Sequence, residues 1–169
     1  MAQRSDTTRL RTLGAVALVL ALSACGPSER EVGSFSNDLL GNEIKIEALP
    51  DPAIPSVICH VARFERSVLD RARQGNWFED PSNSSVSCQR TGPIDLARVP
   101  MGRGGEEIFS DRQSLFFKRT AVRRIIDLEN RSILYVAHSR EIIEGSAKMS
   151  VSSVPLTAEE AAAAQAAAN

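Results

Sequence analysis

The four residues Leu22-Ser23-Ala24-Cys25 constrain this chain most, because they decide which residues are left to fold and in what surroundings. Behind Arg4, Arg9 and Arg11, the run from Leu13 to Leu22 is apolar but only about half the roughly 20 residues of a spanning helix. Small Ser23 and Ala24 give a peptidase access to the bond before Cys25. The pattern predicts a lipoprotein signal over residues 1–24, removed so that Cys25 becomes the lipidated first residue, with a polar tether to residue 30. An ordinary cleavable signal with Cys25 incidental is the alternative. The expected location is the bacterial cell envelope, lipid-anchored and facing the periplasm. Gly26 stands where Asp would signal inner-membrane retention, which favours the outer membrane. Leu10 separates Arg9 from Arg11, so there is no twin-arginine pair.

Such a compartment is oxidising, and with Cys25 modified only Cys59 and Cys88 remain. They are expected to pair, closing a loop worth roughly 3–4 kcal/mol on the chain-entropy model. Free thiols used for redox work or metal are the competing reading. No second cysteine lies two or three residues from either, which removes a CxxC mechanism.

Three arginines and Asp6 leave with the signal, so the remaining chain carries a net charge of about −3. A near-balanced domain has no global attraction for phosphate backbones, and no nucleic-acid partner is expected. About 145 residues remain, enough for one domain burying about two-thirds of its unfolded surface. No second apolar run follows, so the lipid on Cys25 is the expected membrane attachment.

One helix is well signalled. Ser67 can cap it, Asp70 completes a capping box, and Gly75 supplies a left-handed stop. At two turns it is marginal alone, so Leu69 and Ala72 are expected to pack on something else. The rest reads as strands. Ile44–Ala48 alternates, and Val57–Phe64 is nearly continuously apolar, as for a strand covered on both faces. Val86–Gln89, Ile94–Leu96, Glu107–Phe109, Ser114–Lys118 and Thr120–Asp127 follow. Leu128-Glu129-Asn130-Arg131 suits a hairpin into Ser132–Ser139. Lys148–Val154 alternates strictly, Met149, Val151 and Ser153 against Ser150, Ser152 and Val154.

The fold class expected is mainly β: an antiparallel sandwich or partly open barrel of about eight short strands with one short helix. It occupies residues 31–156. Residues 157–169 are alanine-rich with no amphipathic face, and read as a fraying tail rather than a docked element.

Several short segments occur in a telling order. They are Val32-Gly33-Ser34, Asp51-Pro52, Cys59-His60-Val61, Glu79-Asp80, Ser87-Cys88-Gln89, Gly92-Pro93-Ile94, Ser114-Leu115-Phe116-Phe117-Lys118, Arg124-Ile125-Ile126-Asp127 and Glu144-Gly145-Ser146-Ala147-Lys148. In this order they resemble the CreA family of small bacterial envelope proteins, from Glu31 to Leu156. The resemblance implies an exported domain with two matched cysteines, Cys59 and Cys88. It brings no established activity or catalytic residues. The lipobox departs from the pattern, since many relatives look simply secreted. His60 and His138 stand where relatives can carry tyrosine.

The chemistry-bearing residues form no recognisable catalytic set. His60 and His138 have no HxH or HExxH spacing, and half-buried strand positions explain them better than a shared metal. Ser114 precedes an apolar strand rather than a nucleophile elbow. Glu79 and Asp80 beside Trp77 could form an acid–base pair, but adjacent residues of extended chain point apart, and turn capping before Pro81 suits them better. Met101-Gly102-Arg103-Gly104-Gly105 leads to a strand and reads as a hairpin loop rather than a phosphate cradle. Asn83-Ser84-Ser85 matches a glycosylation sequon by chance. Lys118, Arg119, Arg123 and Arg124 look like a basic strip on a solvated sheet edge.

No cofactor or metal is implied. The leading expectation is a non-catalytic binding module of the envelope, meeting a protein partner through Trp77, Phe78, Glu79 and Asp80. A small hydrolase-like enzyme with an unrecognised site and a regulator of an envelope sensor are the alternatives. Trp77 and Phe78 also read as a core plug.

Overall fold

The structure, a computed structural model, describes residues 30–74, 84–109, 120–140 and 148–168. Eight strands form two four-stranded antiparallel sheets, each joined in sequence order. The first holds β1 (Glu31–Ser36), β2 (Glu43–Pro50), β3 (Val57–Glu65) and β4 (Ser84–Arg90). The second holds β5 (Glu106–Phe109), β6 (Thr120–Asp127), β7 (Ser132–Ser139) and β8 (Met149–Pro155). Helix α1 (Val68–Gln74) follows β3, and α2 (Ala158–Ala168) follows β8. The protein is thus mainly β, as alternation predicted, with two short helices and no closed barrel among the described residues.

Period-two patterning places the core. Val57, Cys59 and Val61 of β3, Val86 and Cys88 of β4, and Ile133, Tyr135 and Ala137 of β7 are buried. Ile58, His60 and Ala62 of β3 are only half-buried, so this strand is covered on one face and not on both. A buried valine or isoleucine contributes about 1.5–3 kcal/mol, so these inward rows hold the two sheets together.

The sheets meet where β4 faces β8, and they meet through side chains. Val86 N–H donates to Ser150 Oγ at 3.0 Å, and Cys88 N–H to Ser152 Oγ at 2.8 Å. These amides belong to an edge strand turned towards the core and need acceptors. Serine hydroxyls supply them, which is why Ser150 and Ser152 face inward while Met149 and Val151 are exposed. Because Cys88 N–H points towards β8, the Cys59–Cys88 pair occupies a non-hydrogen-bonded site of the β3–β4 ladder. Side chains are closest at such sites. The two cysteines stand opposite each other, 4.0 Å apart at Cα, and form a disulfide.

Two connections differ from expectation. Ile94–Leu96 is not a strand. Asp95 Oδ1 accepts Ala97 N–H at 2.9 Å and Leu96 O accepts Val99 N–H at 3.0 Å, so the chain turns between Pro93 and Pro100 while still burying Ile94, Leu96 and Val99. The alanine-rich end is a docked helix. Thr157 Oγ1 accepts Glu160 N–H at 3.2 Å and Glu160 Oε2 accepts Thr157 N–H at 2.9 Å, a reciprocal capping box. Ala161 and Ala164 are buried against the core. Small side chains dock this helix closely without needing a wide apolar face.

The β6–β7 hairpin forms as predicted. Asp127 accepts Asn130 N–H at 3.0 Å and Asn130 Nδ2–H at 2.9 Å, and Arg131 takes the left-handed conformation with φ 50°. At α1, Ser67 Oγ accepts Asp70 N–H at 3.1 Å, as expected of the cap. The packing is not as expected. Leu69 and Ala72 are exposed and Asp70 is buried, because α1 is held by polar contacts from the β1–β2 turn rather than by an apolar face. Gly75 and the Ser114–Lys118 strand expectation lie outside the described residues.

Candidate functional site

The chemically dense point of the described molecule is a buried charged cluster between the sheets. It begins at the β2–β3 turn, where Asp51 N–H donates to Val57 O at 2.9 Å. The Asp51 carboxylate then accepts Ala53 N–H at 2.9 Å and Ile54 N–H at 3.1 Å, fixing it before it meets the other sheet. From β6, Arg124 donates to Asp51 Oδ1 and, through its other terminal nitrogen, to Glu106 of β5. From β7, Tyr135 O–H donates to Asp51 Oδ2 at 2.8 Å. The side chains of Arg124 and Asp51 are 1% and 0% exposed, whereas Glu106 is 45% exposed, so the cluster reaches solvent only at its Glu106 end.

Burial raises the Tyr135 pKa far above the ordinary phenol range, and the Asp51 charge and hydrogen bond add to it; Arg124 opposes them in part. Tyr135 is therefore held as a protonated donor. Asp51 has four donors on its carboxylate, so it is not a free base. Among the described residues, the guanidinium Nε of Arg124 is buried without a hydrogen-bond partner. A set of this kind ties two sheets together in one arrangement, because losing one member strands the charge of another.

A second carboxylate does similar work at the α2 end. Glu160 accepts Arg90 at 2.7 and 3.2 Å, Ile94 N–H at 2.8 Å and Thr157 N–H at 2.9 Å. Burial pushes its pKa up, but the hydrogen bonds from Thr157, Ile94 and Arg90 and the Arg90 charge together outweigh it. The Glu160 carboxyl ends below its ordinary range.

The basic strip is corrected at Arg124, which is buried rather than solvated. It is in phase with Thr120 and Val122 on the inward row of β6, and that phase was the readable signal. Arg123, on the other face, donates to Gly104 O at 2.8 Å. The glycine loop thus presents carbonyls to a cation, the reverse of an anion cradle. Gly105 has φ 63°, and a Cβ there would lie 2.3 Å from Arg124 O, so the loop needs glycine for its close approach to β6. Lys118, Arg119 and Ser114 lie outside the described residues.

The histidines lie in different sheets, His60 on β3 and His138 on β7, both half-buried. His138 Nδ1 is 3.1 Å from Ser139 O. No group of three or more His, Cys, Asp or Glu among the described residues is arranged to hold a metal. Cys25, Trp77, Phe78, Glu79 and Asp80 lie outside the described residues. The patterning gave no sign of an exposed apolar group at the free end of the first sheet. Leu39 is 104%, Val68 73% and Leu69 63% exposed, and Val32 and Phe35 of β1 are exposed as well.

No solved structure matches this chain. The family described as CreA protein matches residues 32–159. "Protein CreA" of Escherichia coli strain K12 is 35% identical over 147 residues, covering 82% of this chain and 92% of that protein. "Protein CreA" of Escherichia coli O157:H7 gives the same identity and coverage. The match runs from the second residue of β1 to the start of α2 and includes Asp51, Cys59, Cys88, Arg124 and Tyr135. This chain belongs to the CreA family.

Proposed function

We propose that this protein is a lipid-anchored, non-catalytic module of the bacterial cell envelope, facing the periplasm, that binds a partner through its loops. The observation that carries this reading is the use of two carboxylates, buried Asp51 and half-buried Glu160. Asp51 and Glu160 each accept four hydrogen bonds from the protein itself, which leaves them as struts rather than acids or bases. A general acid or base needs a free lone pair or proton within reach of a substrate. The disulfide and the Ser150 and Ser152 bonds to β4 add a rigid frame. Trp77, Phe78, Glu79 and Asp80 follow α1 in sequence and supply an aromatic pair within a polar stretch, a composition suited to a partner contact.

Cross-linking in the intact envelope tests the binding module. A partner captured by the native protein and lost in the Trp77→Ala variant, with thermal unfolding unchanged, is the expected result. Unfolding of that variant would make Trp77 a core plug and remove the named contact. For the anchor, Cys25→Ser should abolish fatty-acid labelling and leave a larger precursor. Processing to the same mature size would show an ordinary signal cut and overturn the lipoprotein reading.

A further inference from the structure

We infer that the exposed aliphatic group at the free end of the first sheet, Leu39, Val68 and Leu69, rests on the surface of a phospholipid bilayer. The inference rests on the reading of Cys25 as a lipidated anchor and adds a second, protein-borne contact to it.

The group is built to protrude. Asp38 Oδ1 accepts Leu40 N–H at 2.9 Å and Asn42 N–H at 3.2 Å, and Gly41 takes φ 79°, folding the β1–β2 turn upon itself. Leu39 is left fully exposed, at 104%. The start of α1 is fastened to the same turn. Ser67 N–H donates to Asn42 Oδ1 at 2.9 Å and Ser67 O–H to Leu40 O at 2.6 Å. Leu39, Val68 and Leu69 are therefore presented together by a hydrogen-bonded frame, and contact costs little further ordering. Convex aliphatic side chains of this kind suit a fluid apolar phase that closes around them.

The tether supplies the reason for a bilayer. Cys25 stands six residues before Glu31, so a lipid on it keeps β1 within about 20 Å of the membrane. Confinement at that distance makes even a weak surface contact persistent. From Glu31, β1 runs about 20 Å towards the turn that carries Leu39. With β1 lying along the surface, the anchored end and Leu39 both reach it.

The test uses mature protein isolated from the envelope and returned to vesicles of phosphatidylglycerol and phosphatidylethanolamine. Nitroxide labels are attached in Leu39→Cys, Leu69→Cys and, as a control in the β6–β7 turn, Glu129→Cys. Mass spectrometry reads the acyl chain on Cys25 in the same samples. The expected result is a ratio of collisions with lipid-soluble oxygen to collisions with water-soluble nickel chelate several-fold higher at 39 and 69 than at 129. Equal water access at all three positions in acylated protein would overturn the docking group while leaving the anchor. Labels immobilised yet water-accessible would place a protein, or a second copy, on the group and overturn the bilayer as occupant. Absence of the acyl chain would overturn the anchor reading and the inference with it.

Discussion

The seam between the sheets and the free end of the first sheet are both rich in ion pairs, yet they are held in opposite ways. At the seam, Arg124, Asp51 and Tyr135 are removed from water and bonded to one another. At the free end, Lys45 meets Glu65 at 2.9 Å and Arg63 meets Glu47 at 2.9 Å, with Lys45 and Glu65 side chains still 24% and 41% exposed. The number of contacts is similar and their worth is not. Water competes for Lys45 and Glu65 at the free end, whereas Arg124 and Asp51 at the seam have only their protein partners. The apolar groups are arranged in reverse, buried at the seam and exposed at the free end, so one region carries stability and the other is available for contact.

Arg124→Met should break the comparison most visibly. It leaves the Asp51 charge buried without its cation and should cost about 3–5 kcal/mol in urea unfolding. Adding Asp51→Asn should recover part of that loss. Independent, additive losses would mean that the two groups do not act as a pair.

Cys59→Ser and Cys88→Ser should each lose about 2–5 kcal/mol, with the double variant no worse than either. Alkylation of native protein should modify neither cysteine until it is reduced; a free thiol before reduction would remove the bridge.

Gly105→Ala sharpens the seam from the loop side. The new Cβ would meet Arg124 O at 2.3 Å with φ at 63°, so a loss of about 1–3 kcal/mol is expected. Stability unchanged within error would show that the loop can move off β6.

Glu160→Gln concerns acid. The Glu160 carboxyl is depressed in the folded state, so its contribution is fully present above the unfolded carboxyl value of 4.5 and is lost as pH falls through the lower folded value. The native protein should therefore lose stability below that point more steeply than the variant. Parallel acid unfolding curves would show that Glu160 gives no pH-dependent stability.

The smallest effect is expected at the free end. Lys45→Ala should change stability by about 0–1 kcal/mol and salt should narrow the difference further. A loss as large as that of Arg124→Met would dissolve the contrast.

What could be read from the residues varied with how local the cause was. The β6–β7 hairpin was legible because alternation and the Asp127-to-Asn130 turn are both written within it. β1 was not anticipated: Gly33 and Ser34 interrupt any alternation between Val32 and Phe35, and pairing with β2 extends the segment. Ile94–Leu96 looked like a strand because burial and strand formation share one composition. The alanine run looked unattached because docking through Ala161 and Ala164 leaves almost no apolar signature. At the cluster, Arg124 stood in phase with Val122, yet it passed for a surface cation because its partner Asp51 is 73 residues away.

By itself the sequence determined the antiparallel β character, the turn at Asp127 to Arg131, the Ser67 cap and the pairing expected of Cys59 and Cys88. Each depends on side-chain period, short-range hydrogen bonding or the arithmetic of available thiols. Only the tertiary structure decided that β4 and β8 would meet through serine hydroxyls, that Asp51, Arg124 and Tyr135 would converge, and that Leu39, Val68 and Leu69 would be left outside. Those outcomes depend on which edges and charges the packed sheets bring together, and no segment of the chain carries that information alone.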